Sequence, residues 1–145
     1  MIKISIVIHV LAATIWTGGH LALVFMYLIP AFKTKSLKEI LDFEHRYEKV
    51  GMPALVLLVI TGFYQFYYFL PDLSLWFDFN NHISTHISSK VIMVIMIAIL
   101  ALDMKLRVFK QENPNFYDFA IHVFAVTALS VLLVIVGLSI RLDIF

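Results

Sequence analysis

The sequence predicts an all-α protein, an integral membrane four-helix bundle, and three observations carry that prediction. Of its 145 residues, 61% are hydrophobic and only 14% charged, against about 45–50% apolar and 25% charged in an ordinary soluble domain. The charges cluster between long stretches with few or none, so the apolar excess lies in blocks rather than in the periodic stripes of soluble amphipathic helices. Four blocks, residues 4–29, 50–70, 83–102 and 119–140, reach the roughly 20 residues that cross a hydrocarbon core about 30 Å thick. A segment in hydrocarbon must satisfy its own backbone N–H and C=O groups, and the helix is the form that does so.

The first block lacks a small-residue cleavage site followed by a soluble domain, so it reads as a retained span and not as a signal peptide. The second helix is expected to start well before residue 50. Ser36 and Glu39 have capping-box spacing, and Ile40, Phe43 and Tyr47 recur with helical period. Pro53 is expected to kink it near the membrane edge. The third block carries His86 and Lys90, and the fourth carries His122. No repeat, low-complexity tract or domain break interrupts the chain, so residues 1–145 read as one four-span domain.

Orientation follows from the basic residues. Lys33, Lys35, Lys38, Arg46 and Lys49 lie between the first two spans, and Lys105, Arg107 and Lys110 between the last two, whereas residues 71–81 hold none. Positive charge favours the cytoplasmic side, which puts both termini and the middle loop in the periplasm of a bacterial inner membrane. The run Phe63 to Phe69 and the pair Trp76-Phe77 then fall at the outer interface, where an aromatic belt is expected.

Several function classes are excluded. A net charge of +1 with no basic run interleaved with aromatics gives no electrostatic footprint for nucleic acid. The absence of cysteine removes disulfides, iron–sulfur clusters, thiolate metal sites and covalently attached c-type haem. Any cofactor must be held by His, Met, Lys, carboxylate or backbone.

The informative residues are those that a bilayer tolerates poorly: His9, His20, His86, Lys90 and His122, all inside expected spans. Eleven residues separate His9 from His20, which returns them to nearly one helix face about 16.5 Å apart. His82, His86 and Lys90 recur every fourth residue and form a stripe running inward from the outer surface. By rise per residue, His9 and His86 both lie about 10 Å outward of their span midpoints. His20 and His122 lie inward, and His45, on the long second helix, is expected to approach their level.

Two imidazoles from different helices at one depth are what a bis-His haem b requires, so His9 and His86 form the first candidate pair. His20, His45 and His122 offer a second haem or metal level, giving one or two haems. Gly18, Gly19 and Gly62 could leave room for a macrocycle, or could simply allow helices to pack closely. Copper is the alternative cofactor: Asp78, His82 and His86 with His9 could form a site open to the periplasm, with Met93 and Met96 deeper on the same helix as soft ligands or as ordinary packing. Lys90 fits a haem propionate or another anion, held from the outer half of its span.

These residues resemble the copper-resistance D (CopD) family of membrane domains and, more distantly, the HemJ family of membrane protoporphyrinogen oxidases. The likeness lies in His9 followed seven residues later by Trp16 and then Gly18-Gly19, in the spacing of Tyr47, Pro53 and Gly62, and in Ser89-Lys90-Val91 before an apolar run. Ser88 stands where HemJ proteins carry a histidine two residues before the lysine. The resemblance implies a haem-binding or copper-handling redox protein, with His9 and Lys90 as the matched positions. The expectation is a b-type haem protein that moves electrons within the membrane, to a quinone or a partner protein. Copper import, porphyrinogen oxidation and a non-catalytic scaffold beside a larger complex are the alternatives. A homodimer through lipid-facing surfaces stays open.

Overall fold

The computed structural model describes residues 1–77, 82–108, 110–111 and 114–142, and among them every regular element is helical. The first helix is one rod, Ile2–Thr34, α-helical except for a π turn at Leu23–Leu28. It ends where Lys35 takes a left-handed conformation (φ 56°) and its N–H bonds the carbonyl of Ala31 at 2.7 Å. The lysine is held there by the faces of Phe32, Phe116 and Tyr117, with its ammonium 4.4–4.9 Å from the ring centroids.

The second helix, Lys38–Phe69, follows a three-residue turn and runs through Pro53 without a break. The expected capping box does not form. Leu37 occupies the cap position with no side-chain cap bond, and the Ser36 N–H donates to Thr34 Oγ1 at 3.3 Å, so Ser36 closes the first helix and does not open the second. A 3₁₀ turn at Leu73–Phe77 precedes the third helix, His82–Asp103, which passes into a second π turn at Met104–Val108. The fourth helix is Phe116–Leu142. Each expected span falls within one of these four helices, save Leu70, which caps the second. Ile2–Thr34, Lys38–Phe69 and Phe116–Ser139 are long and apolar enough to cross a membrane.

The first helix packs between the second and the fourth, and the third packs on the fourth. The second helix also meets the turns on either side of the third, and Leu55 and Leu58 join Ile97 and Leu100 in a mid-length cluster. At one end Phe63 and Phe66 lie about Trp76, with centroids 6.0 and 5.9 Å apart, and at the other Lys105 Nζ meets Glu48 Oε1 at 3.2 Å. Leu23, Leu28, Ile40, Val108 and Phe119 form the core near the 35–37 turn, and Trp16, Ile97 and Val126 form a second core at mid-length.

The distribution of polarity is that of a protein solvated by lipid. Ser84, Ser88, Thr61, Thr127, Ser130 and His122 are buried, while Leu11, Phe25, Met26, Ile60, Ile99 and Ile121 project outward. In water such a surface would be an aggregation hazard. In hydrocarbon it is the stable arrangement, because outward apolar side chains cost nothing and inward hydroxyls, Ser5 and Ser84 excepted among the described residues, find partners. Most of them do so on their own helix: Thr127 and Ser130 donate to the carbonyls four residues back, at 2.7 and 2.8 Å.

Candidate functional site

A polar seam runs along the interface of the first and second helices. Gln65 Nε2 donates to the Ser5 carbonyl at 3.4 Å, and one turn further in His9 Nδ1 lies 2.8 Å from Thr61 Oγ1. The Thr61 hydroxyl has one hydrogen, and it is given to the carbonyl of Leu57, four residues back. Its oxygen must therefore accept from His9, which places the imidazole proton on Nδ1 and the lone pair on Nε2. Among the described residues no hydrogen bond engages that Nε2. An imidazole whose far nitrogen is anchored in this way has the arrangement of a metal-ligating histidine. Gly62 lies against the ring, where a Cβ would meet His9 Cε1 at 3.4 Å, an ordinary contact.

His20 repeats the pattern at the other level. Its Nδ1 donates to the carbonyl of Trp16 at 2.9 Å, its ring lies 4.3 Å from Trp16 and meets Tyr47 edge-on at 5.7 Å. His9 and His20 thus share the face turned to the second helix, as their spacing predicted. The Tyr47 hydroxyl spans the same interface to the carbonyls of Ile15 and Trp16, at 3.1 and 3.0 Å. Its ring fills the notch at Gly19, where a Cβ would overlap it, and passes within 2.7 Å of a Cβ built at Gly51. Of the three glycines expected to leave space for a macrocycle, Gly19 is filled by Tyr47, while Gly62 faces the His9 ring. Gly18 alone of the three has nothing within 4 Å.

From the third helix, Lys90 is half-buried and near enough for its charge to act on His9. Among the described residues no carboxylate or other acceptor pairs with its ammonium. His86 is half-buried one turn before it on the same helix. Asp78 lies outside the described residues, as does the side chain of His82, so the outer copper cluster falls there too. Among the described residues no three His, Asp or Glu side chains gather as a metal-binding group. Met96 points outward, away from the seam.

The inner histidines do not assemble. His122 is buried, with Nδ1 at 2.8 Å from the Asp118 carbonyl and Nε2 at 2.6 Å from Asp103 Oδ2. Both nitrogens being engaged, neither is turned to a cofactor, and His122 is better described as part of a clamp. Arg107 completes it, bonding Asp103 at 2.7 Å and Asp118 at 2.6 Å and so tying the π turn to the first turn of the fourth helix. His45 is exposed. Two residues, about 200° of helix, separate it from Tyr47, which faces the first helix, so His45 faces away. No hydrogen bond or ring contact joins His20 to His45 or His122 among the described residues.

The clamp has a pH signature. Hydrogen bonds from Arg107, then from His122, hold the Asp103 carboxyl down at about 2, against an ordinary 3.8. A carboxylate depressed by folding contributes stability that is fully present above about 3.8 and is lost as pH falls through about 2. Acid unfolding in detergent should show that loss in the wild type, and Asp103→Asn should remove this component while lowering stability at neutral pH. The site faces solvent, so added salt should shrink the difference.

Sequence reasoning missed the clamp, although Asp103/Arg107 and Asp118/His122 are both i, i+4 pairs on either side of one short loop. It also passed over Thr61, whose role depends on a partner 52 residues away, and Glu44, whose Oε2 is buried without a hydrogen-bond partner. Comparison with family models, curated proteins and solved structures finds no match to this chain.

Proposed function

We propose that the protein is a b-type haem-binding electron-transfer protein of the CopD-like group, set in a bacterial inner membrane with both termini periplasmic. The observation that carries this reading is His9: Thr61 holds its proton on Nδ1, and among the described residues no hydrogen bond is found to its Nε2. A ligand-ready imidazole inside a membrane bundle calls for a metal, and Lys90, which has no acidic partner among the described residues, calls for an anion. Haem b answers both needs, with iron for the imidazole and propionates for the ammonium.

His9 and His86 would supply the axial imidazoles and Lys90 the propionate contact. Bound there, haem would supply reversible one-electron exchange at iron. The chain holds the His9 tautomer, neutralises a propionate and keeps water from the seam with the apolar faces around it. His122 is committed to the clamp and His45 faces away, so this reading expects one haem per chain and gives His20 a packing role against Trp16 and Tyr47.

Oxidised-minus-reduced visible spectra of the protein purified in mild detergent test the proposal. The wild type should show sharp b-type bands at one haem per chain. His9→Ala should abolish them, while His122→Ala should keep them at lower thermal stability. No Soret band in any preparation, with haem supplied during expression, would sink the haem reading. Stoichiometric copper in a colourless preparation would then favour copper handling.

A further inference from the structure

Where Lys105 meets Glu48, an open hollow of about 440 Å³ is lined by His45, Glu48, Lys49, Met52, Pro53 and Lys105. Lys49, Lys105, His45 and Glu48 supply its polar rim, the Lys105 and Glu48 side chains being 66% and 44% exposed, and Met52 and Pro53 supply its apolar lining. Below it the apolar surface continues. Met52, Val56 and Ile60 follow one another at four-residue steps on the second helix, all exposed. On the third helix Ala101 and Ala98 lie four and seven residues before Lys105, small side chains on the same face.

A cationic rim above an apolar, shallow track is the complement of one kind of molecule, an anionic headgroup carrying acyl chains. The rim lies among the basic residues of the two loops that positive-inside topology assigns to the leaflet richer in anionic lipid. We propose that this hollow binds an anionic phospholipid, its phosphate held by Lys49 and Lys105 and its chains laid along the second helix. The acyl chains lie on the exposed apolar face of Met52, Val56 and Ile60. It stands apart from the His9 seam and does not depend on the haem reading. Glu48 restrains the site, because its carboxylate occupies Lys105 at 3.2 Å and repels a phosphate.

The test uses the full chain, delipidated in neutral detergent, with thermal unfolding and native mass spectrometry as phosphatidylglycerol is added. Phosphatidylglycerol should raise the midpoint and remain bound, whereas phosphatidylcholine and inorganic phosphate should do neither. Lys49→Gln and Lys105→Gln should each weaken binding about fivefold, the worth of one basic residue near an anionic surface. Lys33→Gln/Lys38→Gln, which removes as much charge as both together but away from the hollow, should leave it unchanged. Glu48→Gln frees Lys105 and should tighten binding, a result that does not depend on the lysine variants folding. Equal loss in the control pair, equal protection by phosphatidylcholine, or weaker binding in Glu48→Gln overturns the proposal.

Discussion

Gly19→Ala is expected to destabilise the bundle by about 1–3 kcal/mol, the usual cost of overfilling a packed interior, while Gly18→Ala one residue away is expected to be neutral or stabilising by up to about 1 kcal/mol. Helix propensity favours alanine at both positions by the same amount, so the difference between them isolates packing. At Gly18 a Cβ meets nothing within 4 Å, whereas at Gly19 it would overlap the ring of Tyr47. That ring can leave only by giving up its hydroxyl's bonds to the carbonyls of Ile15 and Trp16 and its edge contact with His20. Each lost hydrogen bond is worth roughly 0.5–1.5 kcal/mol, enough to outweigh the propensity gain. Denaturant or thermal unfolding in one detergent measures both variants. Because the damage passes through Tyr47, Gly19→Ala made in a Tyr47→Ala background should cost little. An equal penalty in both backgrounds would mean that the notch is closed by something other than this ring.

The contrast between neighbouring glycines shows where sequence reading stops. The four helices were legible because each is a property of one segment: a block long enough to cross a membrane must become a helix whatever it packs against. The His9 and His20 face was legible for the same reason, being set by the helical repeat alone. Which glycine a tyrosine fills depends on how two helices register, and no local pattern encodes that. For His122 the depth was legible and the partners were not. Rise per residue placed it below His20, and there it meets Asp103 and Arg107, at the end of the third helix and in its π turn. Ser36 misled for a third reason. Its spacing to Glu39 suits a cap, but the turn is only three residues long, and the end of the first helix claims its N–H.

The second large effect is expected at Thr61, and it rests on the haem reading. Thr61→Val keeps the shape of the side chain and removes the oxygen that accepts from His9. The imidazole then loses the bond that fixes its proton on Nδ1, and its proton is free to move to Nε2, the nitrogen that must carry the lone pair for iron. Loss of such an orienting partner typically weakens metal affinity 10–100-fold, so haem should pass to an excess of a haem-scavenging protein correspondingly faster than from the wild type. Thr61→Ser, which restores the hydroxyl, should recover most of the affinity, and nitrogen NMR of labelled histidine should show the His9 tautomer restored with it. Folding is read separately, by thermal unfolding of the haem-free variants, because Thr61→Val leaves the His9 Nδ1–H without its acceptor and is expected to lower stability as well. If Thr61→Val keeps haem as firmly as the wild type while His9→Ala loses it, then His9 ligates without help and Thr61 serves only to satisfy a buried polar ring. If both keep it, iron is held elsewhere, and the seam between the first two helices is a packing device whose polar atoms bind one another and nothing else.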